Sequence, residues 1–194
     1  MLGGVAEPGT LYLVPTPIGN PGDITLRAID VLRHVGIVAS EDTRHTRTLI
    51  RRHGVEARLL SYHDHNEEPR SRQLLAALRD GVDVALVSDA GTPLVNDPGY
   101  RLVTAAIEAG IRVRPLPGAS ATLTALVGSG LPIHRFHYVG FLPRRGPARR
   151  TALERQGVGS RTAREVIREV TGLPRKWVYE RLAADRSPRR RRDG

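Results

Sequence analysis

The sequence predicts an α/β protein built on a parallel sheet, and two observations support this fold class. Short apolar runs alternate with amphipathic helical patterns over the first 140 of the 194 residues, as in a series of strand–helix units. Several of these runs lead directly into loops rich in glycine and proline, where a strand has to end. The hydrophobic content of 40% is sufficient for a packed core, and the absence of cysteine excludes disulfides and cysteine-based metal sites.

The apolar runs mark the expected strands. A strand that is buried on both faces of a parallel sheet is a short, nearly continuous hydrophobic run, and the clearest such run ends at Val87. The expected strands lie at 11–15, 36–40, 82–87, 111–116 and 136–141.

The expected helices lie between these strands, and capping residues indicate their limits. Asp23 is the expected N-cap of a first helix from about Ile24 to Val35, with Leu26 among its apolar positions. Glycines just past the last turn indicate where helices end. Further helices are expected from the polar cluster at 41–45 to Gly54, from Asn66 to about Asp80, up to Ala109 before Gly110, and from Ser120 onward.

The character of the chain changes after residue 141. We expect an α/β domain at 1–141, a basic linker at 142–159, a helix-turn-helix-like appendage at 160–185 and a disordered arginine-rich tail at 186–194. The net charge of +10 follows this division. Residues 1–140 carry 14 arginines and 14 acidic residues, whereas the last 54 residues carry 15 arginines and one lysine against 6 acidic residues.

Clustered arginine is typical of a protein with a polyanionic partner, so contact with nucleic acid is expected. A basic tail whose arginine content reflects only genome composition is the alternative. Residues 1–10 lack the features of a signal peptide, and no apolar run approaches the roughly 20 residues of a membrane-spanning helix. We therefore expect a cytoplasmic protein without a membrane partner.

Three loops that follow predicted strands indicate a ligand cleft. The loops at 15–22, 88–99 and 117–120 expose backbone rather than bulky side chains, and in open α/β sheets ligands bind at the carboxyl ends of strands. The glycine-rich dinucleotide and P-loop motifs are both absent. His63 and His65 flank an aspartate, but no third ligand accompanies them, so we expect no metal.

Five sequence blocks resemble the tetrapyrrole-methylase superfamily of class III methyltransferases. They are Pro15–Asn20, Glu41–Arg44, Tyr62–Asn66, Ser88–Gly99 and Pro115–Ala121. The resemblance is collinear from about residue 9 to residue 150. The full twelve-residue block at 88–99 is similar to the branch that methylates a cytidine ribose 2′-hydroxyl in bacterial 16S ribosomal RNA, and relatives that act on cobalamin precursors have shorter versions of it.

The resemblance implies S-adenosyl-L-methionine as the cofactor, with 16S ribosomal RNA or the small ribosomal subunit as the partner. The implied cofactor contacts are Pro17, Ile18, Gly19, Asp89, Gly91, Thr92, Val95, Ser120 and Ala121. The implied substrate contacts are Glu41, Arg44, Asn96, Arg144 and Arg145. Catalytic candidates, which the sequence does not rank, are Asp42, His45 and Asp97. The structural alternatives are an Asp42–Arg44 salt bridge and Asp97 as a helix N-cap.

The chain departs from the family after residue 143, where the second α/β domain of the family is missing and residues 157–184 resemble the family's far C-terminal helices. Loss of that domain would expose an apolar surface, so a homodimer is expected. Two other functions stay open. One is methylation of a tetrapyrrole or another small molecule, and the other is non-catalytic binding of nucleic acid.

Overall fold

The structure is a computed structural model that describes residues 7–144 and 146–155. Two compact units divide the chain after Phe136. The first unit contains a five-stranded parallel sheet with helices on both faces, and the second contains one described helix, α6 (Gly146–Arg155). The described residues include no helix that is both long and apolar enough to cross a membrane.

All the strands of the sheet run parallel, in the order β3-β2-β4-β1-β5. The strands are β1 (Leu11–Val14), β2 (Ile37–Ser40), β3 (Leu59–Ser61), β4 (Val84–Val87) and β5 (Val113–Pro115). The helices that connect or follow them are α1 (Leu26–His34), α2 (Thr43–Arg52), α3 (Glu67–Arg79), α4 (Tyr100–Glu108) and α5 (Ala121–Gly128).

Two hydrophobic clusters cover the two faces of the sheet. Along β4, Ala85 and Val87 belong to one cluster, whereas Val84 and Leu86 belong to the other, as the alternation of a strand requires. The first cluster also contains the buried apolar side chains of α1 and α2, and the second contains those of α3 and α4. The chain therefore covers one face with its first two helices and the opposite face with the next two.

This change of face coincides with a reversal of direction in the sheet. From β1 the chain moves outward to β2 and β3, and it then returns to place β4 between β2 and β1 before adding β5 on the far side. Such a reversal is where open parallel sheets bind ligands, because the loops at the strand ends separate there. The topology thus confirms the predicted fold class and directs attention to the carboxyl edge of β1 and β4.

The predicted strands at 11–15, 36–40, 82–87 and 111–116 are confirmed to within two residues at each end. The predicted strand at 136–141 is wrong. Those residues pair with no strand in the described part of the chain, and their side chains are exposed, with Phe141 86% exposed. Apolar alternation alone does not form a strand when no neighbouring strand can complete the hydrogen bonds.

Two further corrections concern α1 and β3. The N-cap of α1 is Thr25, whose Oγ1 accepts from the N–H of Ala28 at 3.0 Å, and not Asp23, which ends a short 3₁₀ turn. Leu26 was expected on the apolar face, but it is 86% exposed. Strand β3 was not predicted, because it is only three residues long at the edge of the sheet. The helices expected within 160–185 and the tail at 186–194 lie outside the described residues.

Candidate functional site

The loops that follow β1 and β4 are joined by a pair of reciprocal hydrogen bonds. The N–H of Thr16 donates to the carbonyl of Gly91, and the N–H of Gly91 donates to the carbonyl of Thr16, both at 2.9 Å. The Thr16 hydroxyl also donates to the Ser88 carbonyl at 2.9 Å, and the Ser88 hydroxyl donates to the Gly91 carbonyl at 2.6 Å. These bonds satisfy buried polar groups at the strand ends and fix the two loops against each other.

The loop that follows β5 joins the same assembly. The Thr92 hydroxyl donates to the Ala119 carbonyl at 3.1 Å. A Cβ added to Gly118 would lie 2.7 Å from the Cβ of Pro15, so only glycine permits the first and third loops to approach this closely. Gly91 has φ +86°, and a Cβ there would meet Ile18 at 3.4 Å. The predicted convergence of three backbone-rich loops is thus present in the structure.

The 88–99 loop contains an unusual backbone. Leu94 and Asn96 have φ values of 70° and 66°, a left-handed conformation that non-glycine residues rarely adopt. Val95 lies between them and is 45% exposed, although it is apolar. Such backbone strain concentrates at ligand sites, where the surrounding structure holds an otherwise unfavourable conformation.

Asp42 connects the end of β2 to the 88–99 loop and begins α2. Its backbone N–H donates to Asp89 Oδ1 at 3.1 Å, and its own carboxylate accepts from the N–H of Arg44 at 2.8 Å as the N-cap. The Arg44 guanidinium makes two further bonds to this carboxylate, at 2.9 and 3.1 Å. Hydrogen bonding to Arg44 lowers the pKa of Asp42 to about 2, which makes it a poor proton acceptor.

Asp97 has the opposite electrostatic environment. Burial raises the pKa of Asp97 to about 6, and the negative charges of Glu41, Asp89 and Asp64 add to this effect. A carboxyl group with a pKa near neutrality is suited to accept and release protons. Asp97 is also not the N-cap of α4, because that position belongs to Gly99. Of the two structural roles expected as alternatives to catalysis, the Asp42–Arg44 salt bridge is present, whereas Asp97 does not cap a helix.

A groove of about 470 Å³ lies between the first loop and α2. Four of its lining residues, His45, Thr48, Leu49 and Arg52, have the i, i+3, i+4, i+7 spacing of one side of a helix. The opposite wall and the floor are formed by Pro17, Ile18, Gly19, Pro21, Asp89 and Ala90. The groove thus brings His45, a catalytic candidate, together with four of the expected cofactor contacts. Thr48 and Arg52 were missed, although their spacing from His45 could have indicated them.

Glu67 is a further residue that sequence reasoning missed. Its carboxylate accepts from the Tyr62 hydroxyl at 3.2 Å and from the backbone N–H of Gly99 at 3.0 Å, and it lies 3.6 Å from the Arg101 guanidinium. Burial raises the pKa of Tyr62 to about 12, so this phenol stays protonated and donates. Glu67 therefore fixes the end of the 88–99 loop. Its position directly after the predicted N-cap Asn66 was the one feature of the sequence that could have indicated this role.

The remaining candidates lie at the margins of this assembly or beyond it. Ser120 caps α5 by accepting from the N–H of Leu123 at 3.3 Å, and Ala121 is the first residue of that helix. Arg144 is exposed and belongs to the second unit, and Arg145 lies outside the described residues. In residues 7–144 and 146–155, no three histidine, cysteine or acidic side chains are grouped so that they could hold a metal ion.

The chain is similar to several solved structures. It aligns with the crystal structure of uroporphyrin-III-C-methyltransferase from Thermus thermophilus at a TM-score of 0.50 and 28% identity, over 66% of this chain and 55% of that one. A conserved hypothetical protein from Aeropyrum pernix K1 aligns at a TM-score of 0.54 and 29% identity, over 68% and 46% of the two chains.

Curated relatives are similar in sequence over a longer part of the chain. A protein named ribosomal RNA small subunit methyltransferase I from Micromonospora olivasterospora is 76% identical over 148 residues, which are 76% of this chain and 47% of the relative. A protein of the same name from Escherichia coli O157:H7 is 58% identical over 146 residues, 75% of this chain and 51% of the relative. The chain thus spans about half the length of these relatives.

The sequence pattern of one protein family covers almost the whole chain. This family, described as tetrapyrrole (corrin/porphyrin) methylases, matches residues 10–191. The match includes the three loops at the carboxyl edge of the sheet and α2, from which the candidate site is built. The predicted family is confirmed, and the chain belongs to the tetrapyrrole methylases.

Proposed function

We propose that this chain carries out the S-adenosyl-L-methionine-dependent 2′-O-methylation of a cytidine ribose in 16S ribosomal RNA. The observation that supports this most is the convergence of three tied loops at the switch point of the sheet, in a chain 76% identical to a protein named as a ribosomal RNA methyltransferase. Methylation of a small molecule has weaker support, because the uroporphyrin enzyme is only 28% identical.

The described residues fit the proposed cofactor chemically. The sulfonium and ammonium groups of S-adenosylmethionine are cationic, and Asp89, Asp97 and Glu41 form a negatively charged region at the loop ends. The peptide groups near Gly91 and the exposed side chain of Val95 would contact its nucleoside. The remaining proposed cofactor contacts are Pro17, Ile18, Gly19, Thr92, Ser120 and Ala121.

When bound, the cofactor supplies an electrophilic methyl group whose sulfur leaving group is already activated. The residues of this chain would have to position the ribose hydroxyl toward that methyl group and provide a base that accepts the hydroxyl proton. Asp97 is our candidate for this base, because its pKa of about 6 leaves it ionised at neutral pH without making it as weak a base as Asp42. His45 would bind or orient the acceptor from the wall of the groove.

Partners follow from the same proposal. We propose 16S ribosomal RNA or the small ribosomal subunit as the substrate, with Glu41, Arg44, Asn96, Arg144 and Arg145 as contacts. Helix α5 has no buried residue and exposes Leu123 and Val127 at 55% and 69%, which supports the expected homodimer.

Calorimetric titration of the whole chain with S-adenosylmethionine tests the proposed function. We expect binding that Val95→Arg weakens by at least about tenfold, because the added cation repels the sulfonium and fills the cleft. Ile107→Arg is the matched control, since Ile107 is also apolar and exposed, at 62%, but lies on α4. A folded sample that releases no binding heat would contradict the enzyme and favour non-catalytic binding of nucleic acid.

A further inference from the structure

Helix α2 has a strongly basic surface, although the part of the sequence that contains it has no net charge. Its ten residues include Arg44, Arg47, Arg51 and Arg52 and no acidic residue, and all four arginines are exposed. The first 140 residues are neutral as a whole, so this excess is balanced by acidic residues elsewhere. Folding thus separates the charges, and it places the positive ones beside the candidate site.

The stability of the helix explains these arginines only in part, because Arg51 and Arg52 lie in the last turn, where the helix dipole favours a cation. Arg47 and Arg51 are four residues apart on the same side of α2, where like charges repel. Arg47 is the fifth residue of α2 and lies outside the last turn, so the helix dipole does not favour a cation there. Within the described residues, no carboxylate lies within ion-pair distance of Arg47, Arg51 or Arg52, and only Arg44 is paired, with Asp42.

Helix α3 shows how charges are arranged where a helix has only to be stable. Its Glu68 and Arg72 are four residues apart and form an ion pair at 2.7 Å. Its first turn is acidic and its last turn is basic, as the helix dipole favours. The unpaired arginines of α2 therefore indicate a polyanionic partner, because its binding would offset their mutual repulsion.

The groove gives this partner a chemical class. His45 and Arg52, which both line the groove, are about 10 Å apart along the axis of α2 at 1.5 Å per residue. The lining also includes Leu49 and Pro21, which are apolar, are not among the proposed cofactor contacts and could cover one face of a nucleobase. A strand lying along α2 would thus place its phosphates on the arginines and one nucleoside in the groove.

We propose that α2 is the RNA-docking helix, on which Arg47, Arg51 and Arg52 hold the phosphates of a single strand while one nucleoside enters the groove. This inference rests on the proposed function, which makes the first loop and Asp89 the methyl-donor end of the same groove. A single strand is required rather than a duplex, because the nucleoside has to leave any pairing before it can enter.

Salt-dependent binding of a fluorescent single-stranded oligocytidylate RNA tests the docking surface. We expect Arg47→Ala/Arg51→Ala to weaken binding and to reduce the slope of log affinity against log salt by about 1.4, the value for two lost phosphate contacts on a single strand. The matched control is Arg79→Ala/Arg112→Ala, which removes two exposed arginines outside α2 and lowers the net charge by the same amount as the test variant. Equal slopes for the two double variants would overturn the proposal.

Two further measurements distinguish the partner and the groove. Poly-L-glutamate at matched charge should compete poorly with the RNA, and equally effective competition would favour an acidic protein and overturn the RNA assignment. Thr48→Trp should fill the groove and weaken RNA binding by about tenfold or more at fixed salt. Its control is Thr104→Trp, which fills a second groove between α3 and α4. Equal affinities for the two tryptophan variants would exclude the groove as the nucleoside site.

The cofactor titration separates this inference from the proposed function. RNA binding that depends on α2 in a chain that binds no S-adenosylmethionine would support the docking surface and contradict the enzyme. Cofactor binding together with equal slopes for the two double variants would support the enzyme and overturn the docking surface.

Discussion

The two faces of the sheet are alike in packing but different in charge. The α1/α2 face and the α3/α4 face each bury a continuous apolar cluster against the same strands. On the α3/α4 face the carboxylates of Glu67 and Glu68 meet Arg101 and Arg72, whereas α2 leaves most of its arginines unpaired. Packing therefore stabilises both faces, and the difference in charge is the observation on which the proposed docking surface on α2 rests.

The largest expected changes in the free energy of unfolding test whether the two faces of the sheet are equally well packed. Leu32 in α1 and Leu74 in α3 are both almost fully buried, at 1% and 0% exposed. Leu32→Ala and Leu74→Ala should each lower the free energy of unfolding by about 2–5 kcal/mol, because each leaves a cavity. Urea unfolding measures both, and a loss below about 1 kcal/mol for one variant alone would show that its face is loosely packed.

Intermediate effects test the difference in charge. Glu67→Ala should lower the free energy of unfolding by about 2 kcal/mol, because it removes the acceptor of the Gly99 N–H and one of the two partners of the Tyr62 hydroxyl, the other being Ser71 Oγ. Arg47→Ala on the other face should change it by less than about 0.5 kcal/mol, since the substitution also relieves repulsion from Arg51. A loss for Arg47→Ala as large as that for Glu67→Ala would show that Arg47 has a structural role.

A smaller effect than that of Glu67→Ala is expected for the pH dependence of Asp97, which makes no ion pair within the described residues. Its folded pKa of about 6 exceeds the ordinary 3.8, so its ionisation costs stability as pH rises through this interval. Asp97→Asn should therefore raise the free energy of unfolding at pH 8 by about 1 kcal/mol, after allowance for solvent screening of a half-buried group. The gain should disappear below about pH 4.

Asp42→Asn should change the free energy of unfolding in the opposite direction to Asp97→Asn over the same pH range. The folded pKa of Asp42 is lowered to about 2 by Arg44, so its ionised form stabilises the native state above pH 3.8. The substitution should destabilise the protein at pH 7, and the loss should fade as pH falls through about 2. Unfolding curves with the same sign for the two variants would contradict the electrostatic account of both carboxylates.

Sequence reasoning succeeded where local chemistry decides the structure. The apolar runs correctly predicted four of the strands, and the capping positions of Asn66 and Ser120 were correct because each precedes a helical pattern. The three loops could be predicted to meet, since parallel strands place their carboxyl ends at one edge. The hydrogen bonds between these loops could not be predicted, because the Thr16–Gly91 pair joins residues 75 positions apart.

Other features depend on tertiary contacts that a sequence pattern does not contain. Strand β3 exists because it pairs with β2 at the sheet edge, and residues 136–141 are not a strand because no such partner is present in the described chain. The proposed preference for Asp97 over Asp42 needed the structure, because burial raises the pKa of Asp97 whereas hydrogen bonds from Arg44 lower the pKa of Asp42. The basic surface of α2 was hidden because counting charges along the chain averages over both faces.

The short outer strands of the sheet have a consequence for aggregation through strands added at its edges. An edge strand offers free N–H and C=O groups to which another chain could add in a cross-β manner. On β5 the even-numbered residues bond inward to β1, as at Arg112 and Leu116, so the N–H positions of Val113 and Pro115 point outward. Proline has no N–H, which leaves Val113 as the one outward donor of this strand. Together with the three-residue length of β3, this arrangement offers an approaching strand too few hydrogen bonds for the sheet to act as a template for aggregation.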